Sequence, residues 1–139
     1  MSESPVRALS HVAIATPDAD ALAATLVAGL GATRGSEETL DQGTLRVLFV
    51  HLGPVTLELL QPLSDSHTVA KFLATRGPGL HHVSFEVAGL EQRLADAKAA
   101  GVRLIDDHGR PGAHDSTVAF LHPKSLGGVL VELCEEPKP

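Results

Sequence analysis

The chain has 139 residues, 43% of them apolar and 20% charged, which suits a folded domain rather than a disordered or membrane-spanning chain. Its formal charge of −6 argues against a phosphate-backbone partner, and without Trp or Tyr it lacks the rings that stack nucleobases, so no nucleic-acid partner is expected. The one cysteine, Cys134, excludes an intrachain disulfide and fits a reducing, cytoplasmic compartment; no apolar run reaches the roughly 18 residues of a membrane span, and the first residues lack signal-peptide regions.

The first apolar run, Leu9 to Thr16, predicts a strand. Pro17-Asp18 ends it and opens a helix, with Asp18 as N-cap. Leu22, Leu26 and Leu30 form one helical stripe, and Gly31 stands where a C-terminal glycine is expected. Ala32 to Glu38 predicts a strand, Asp41-Gln42-Gly43 a turn, and Leu45 to His51 and Val55 to Leu60 two strands joined by a turn at Gly53-Pro54. Ser66 to Arg76 predicts a linking helix. From residue 80 a similar order recurs: a strand Leu80 to Val87, a helix marked by Leu90, Leu94 and Ala97, then short strands at Val102 to Ile105, Thr117 to Leu121 and Val129 to Leu133.

Each half therefore reads strand, helix, strand, strand, strand. Gly31 and Gly101 are 70 residues apart, and His11 and His82, each opening a strand as His-Val, are 71 apart. This is an internal duplication. Repeat 1 spans about 8–62 and repeat 2 about 80–135. A module of roughly 55 residues has too little core to stand alone, so one structural unit of two repeats, residues 1–139, is expected.

Strand phase carries the functional signal. In the first strand His11, Ala13 and Ala15 share a face, opposite Val12 and Ile14. In the fifth, His82, Ser84 and Glu86 share a face, opposite Val83, Phe85 and Val87. The bulky face suits packing on a helix, so the histidine face suits a cavity wall. The last strand of each half adds one glutamate, Glu58 or Glu132, in the middle of an apolar run. Convergence of the two faces brings together His11, Glu58, His82 and Glu132, a nitrogen and oxygen donor set that suits a divalent transition metal. Cobalt, zinc, nickel and manganese are all compatible. His81 points opposite to His82. His51, His67, His108, His114 and His122 have no mirrored partner and read as surface or loop residues. Cys134 reads as a small apolar filler.

These residues resemble the vicinal oxygen chelate superfamily and, within it, the methylmalonyl-CoA epimerase family. The likeness rests on the stretches Thr68 to Val87, Arg103 to Asp107, Arg110 to Ala113 and, most specifically, Phe120 to Cys134 with its His122-Pro123-Lys124-Ser125 loop. It covers about residues 8 to 135. The resemblance implies an α+β fold, βαβββ-βαβββ, with a curved sheet around one divalent metal held by His11, Glu58, His82 and Glu132. It implies interconversion of (2R)- and (2S)-methylmalonyl-CoA through an enolate, an acyl-CoA substrate and a homodimer. Glu132 is the first candidate base and Glu58 the candidate for the opposite face. Some members carry a glutamate base on the strand after the Gln-Gly turn; here that position is Arg46 or Val47. Alternatives within the superfamily are a glyoxalase I-like lactoylglutathione lyase and a non-enzymatic binding protein. Retention of four ligands counts against the binding protein, and Glu58 counts against an extradiol dioxygenase.

Overall fold

The computed structural model describes residues 5–138. They form two compact units: His11–His81, and the described residues up to Ser10 together with those from His82 onward. The units thus divide inside two strands, at Ser10/His11 and His81/His82, and not at the ends of the sequence repeats.

In the unit of residues 11–81, strand β1 (Val6–Ala15) leads into helix α1 (Ala19–Leu30), strands β2 (Thr33–Leu40), β3 (Leu45–Leu52) and β4 (Val55–Pro62), and helix α2 (Thr68–Arg76). The strand order is β2-β3-β4-β1, antiparallel except for the parallel pair β1/β4. Helix α1 starts where expected, because the Asp18 carboxylate accepts a hydrogen bond from the Ala21 N–H at 3.0 Å. It stops at Gly31, whose φ of +71° suits a residue without Cβ. Its buried Ala19 and Ala23, with Leu22 and Leu26, pack on Val12, Ile14, Leu48, Val50, Leu57 and Leu59. The bulky face of β1 therefore meets the helix, as its phase predicts. The turn after β2 uses positive φ at Asp41, Gln42 and Gly43. Helix α2 starts at Thr68 because the His67 ring accepts from the Val69 N–H, while its other nitrogen lies 2.6 Å from Asp41. His67, expected as a surface or loop residue, is thus a helix cap tied to the β2–β3 turn.

The other unit continues with β5 (Gly79–Val87), helix α3 (Leu90–Ala99), β6 (Arg110–Pro111), β7 (Thr117–Leu121) and β8 (Val131–Glu135), ordered β1-β5-β8-β7-β6. Leu90 and Leu94 of α3 pack on Val87, Ala119, Leu121 and Leu133, with Phe85 and Val131 around them. The α3 N-terminus has no side-chain N-cap; Glu135 supplies its acceptors instead, taking the Gly89 N–H at 2.7 Å and the Leu90 N–H at 3.3 Å. β5 and β8 pair in parallel, as β1 and β4 do. The repeated strand–helix–meander is α+β.

Two expectations are corrected here. Val102 to Ile105 is not a strand: only Leu104 makes a bridge, to Leu121, and the edge strand is the two-residue β6. Backbone bonds from Ile105 N–H to Phe120 O and from His122 N–H to Arg103 O flank that bridge, but the Asp106 carboxylate takes the Phe120 N–H at 2.8 Å and the pairing goes no further. The last strand begins at Val131 rather than Val129, because Gly127 and Gly128 turn the chain with φ of +69° and +88°.

No helix among the described residues is long and apolar enough to cross a membrane.

Candidate metal centre

The four sequence-predicted ligands are buried, with relative exposures of 6% for His11, 9% for Glu58, 6% for His82 and 6% for Glu132. Ionisable groups this deep need partners, because an unpaired buried charge is costly. Each unit pairs its own two.

In the unit of residues 11–81, β1 and β4 run side by side with Ala13 beside Glu58. The helix takes Leu57 and Leu59, so alternation puts Glu58 on the opposite face, with His11. His11 Nδ1 lies 3.0 Å from Glu58 Oε2. Across the next ladder Phe49 pairs with Glu58 and Val47 with Leu60. Buried Val47, Phe49 and Leu60 thus wall the His11–Glu58 pair with apolar surface.

The later unit repeats this arrangement. Ser84 stands beside Glu132 across β5/β8, and Phe120 pairs with Glu132 across β7/β8. His82 Nε2 is 3.9 Å from Glu132 Oε2. The Phe120 ring meets the His82 ring edge-on, with centroids 5.1 Å apart. Ser84 Oγ donates to Glu132 Oε1 at 2.7 Å, and the serine is fully buried.

Strand register shows which of Arg46 and Val47 shares the face of Glu58. Arg46 points to the helix side and binds Asp20 of α1 and Glu37 of β2. Its guanidinium holds the Asp20 carboxyl well below the usual carboxylate range, through hydrogen bonds first and charge second. Val47 lies on the face of Glu58. Neither residue is a carboxylate, so neither serves as a base on this strand.

Three further residues neighbour the pairs, Phe49, Phe120 and Ser84, of which only Ser84 is placed on the histidine face by strand phase alone. A signal for the rings was present, since Phe49 and Phe120 are 71 residues apart, the spacing of the two histidines. Of the unmirrored histidines, His108 lies 2.8 Å from Glu91 at the surface, which raises its pKa through hydrogen bonding and charge. His122 accepts from the Lys124 N–H at 3.0 Å. Cys134 is buried, and burial pushes its thiol up to about 12, so it is no nucleophile at neutral pH.

The donor chemistry fits a first-row divalent cation. Each pair offers an imidazole nitrogen and a carboxylate oxygen in an apolar wall, the ligand types such ions take.

The sequence pattern of the Glyoxalase/Bleomycin resistance protein/Dioxygenase superfamily matches residues 10–120, and the chain belongs to that superfamily. Within it, similar proteins include methylmalonyl-CoA epimerases. The ethylmalonyl-CoA/methylmalonyl-CoA epimerase of Cereibacter sphaeroides is 40% identical over 128 residues, covering 90% of this chain and 95% of that protein. The crystal structure of methylmalonyl-CoA epimerase from Mycobacterium tuberculosis superposes with a TM-score of 0.91 at 34% identity, covering 99% of this chain and 93% of that one. A methylmalonyl-CoA epimerase in complex with methylmalonyl-CoA and NH4+ superposes with a TM-score of 0.88 at 32% identity, covering 94% and 95%.

Proposed function

We propose that the chain is a methylmalonyl-CoA epimerase, interconverting the 2R and 2S thioesters by removing and returning the C2 proton. The observation that carries this reading is the buried His–Glu pair that each unit presents on the strand face away from its helix. In this reading His11, Glu58, His82 and Glu132 would hold one divalent cation. When bound, that cation supplies Lewis-acid stabilisation of the enolate that proton loss creates.

The chain's own residues do the rest. The C2–H lies between a thioester and a carboxylate, so a carboxylate base suffices to remove its proton once the enolate charge is met. Glu132 takes the proton from one face. Glu58, on the equivalent strand of the other repeat, serves the opposite face. Val47, Phe49 and Leu60 exclude water around Glu58, which keeps it from exchanging protons freely with solvent. A homodimer in the cytoplasm completes the reading.

Product analysis tests it. Stereochemically pure (2R)-methylmalonyl-CoA incubated with the protein is expected to become a mixture of 2R and 2S forms. The methylglyoxal–glutathione hemithioacetal is expected to remain unchanged. Lactoylglutathione formation without epimerisation would assign the site to glyoxalase I-like chemistry instead.

A further inference from the structure

The two repeats differ at one buried position beside the two carboxylates. Ala13 stands beside Glu58 and Ser84 beside Glu132, at equivalent places 71 residues apart. Both are fully buried. Ala13 shows that a methyl group satisfies the packing at this place. The oxygen of Ser84 is therefore an addition that packing does not require, and a buried hydroxyl is unfavourable unless it is hydrogen-bonded. Its bond goes to Glu132 Oε1 at 2.7 Å.

The two carboxylates also sit differently against their histidines. Glu58, beside an alanine, sits with Oε2 at 3.0 Å from His11 Nδ1. Glu132 takes the Ser84 hydroxyl on Oε1, and its Oε2 lies 3.9 Å from His82 Nε2. We propose that Ser84 is a positioning residue that fixes Glu132 by one oxygen and directs the other at the metal and the reacting proton. The duplicated carboxylates are thereby given unequal roles: Glu132 is pre-organised, and Glu58 is free of any such tether from the matching position. This inference rests on the reading of the four residues as a metal centre. Partners of metal ligands set ligand orientation, and their loss typically weakens metal binding about 10–100-fold.

Cobalt(II) binding to the full chain tests it without any activity assay. Affinity is measured by competition with a chromophoric chelator, and coordination by the visible absorption of the bound ion. Ser84→Ala is expected to weaken cobalt binding about 10-fold or more and to change the visible bands. Ser84→Thr keeps the hydroxyl and is expected to restore both toward the parent. Equal affinity and an identical spectrum in Ser84→Ala would overturn the proposal. So would equal damage in Ser84→Ala and Ser84→Thr, which would make packing the cause. Failure of the parent protein to bind cobalt at all would overturn the metal-centre reading, and this proposal with it.

Discussion

Glu132→Gln is expected to lower the rate of C2 proton exchange by about 10²–10⁴-fold, the usual cost of a lost general base, while metal stays bound. The reason is the difference between the two functional groups. An amide oxygen still coordinates, and it does not accept a proton at neutral pH. The local structure tolerates the change. Ser84 Oγ, which donates to Glu132 Oε1, turns its lone pair to an amide N–H in the variant and leaves the amide oxygen where Oε2 stood. Metal content and exchange rate, measured on one preparation, separate the roles. Glu58→Gln is the companion. A loss comparable to that of Glu132→Gln gives Glu58 the second proton transfer; a small loss leaves it a ligand only. A Glu132→Gln protein that exchanges at the parental rate would remove Glu132 from the mechanism.

His82→Ala is expected to lose metal and activity together, and by more than the about 10–100-fold that follows when a ligand's neighbour is removed. Alanine offers no donor in place of the imidazole. The substitution also empties the space against which the Phe120 ring packs edge-on. Circular dichroism and thermal unfolding of the variant show whether the fold survives that cavity. Metal analysis of the folded variant then gives the result. Retained stoichiometric metal in folded His82→Ala would take His82 out of the ligand set.

The faces of all four residues are legible in the chain. The two His-Val strand openings, with their small or polar alternate residues, marked His11 and His82 as facing away from the helices. The mid-strand positions of Glu58 and Glu132 did the same for the carboxylates. Burial of all four agrees with that phase. Alternation is a property of each strand alone, so it reads directly from sequence. What was not legible depends on neighbours. Whether Arg46 or Val47 stood on the face of Glu58 needed the β3/β4 register. The serine bond to Glu132 needed the pairing of β5 with β8, because a serine on an alternating strand looks the same whether it faces water or a carboxylate. The strand expected over Val102 to Ile105 goes no further than one bridge, beside which the Asp106 carboxylate takes the Phe120 N–H, a competition no periodicity records. His67 looked like a loop residue because its two partners, the Val69 N–H and Asp41, come from a helix start and a distant turn.

Hydrogen–deuterium exchange at C2 reads metal-dependent proton transfer at that carbon without relying on any other step. Methylmalonyl-CoA is incubated with the protein in deuterium oxide, with and without a chelator, and deuterium at C2 is followed by mass spectrometry. Rapid incorporation without chelator is expected, falling to the background rate when the metal is removed and returning when a divalent ion is restored. Incorporation that is equally fast after verified removal of the metal, or absent in the metal-loaded protein, would rule out metal-dependent epimerisation at this site.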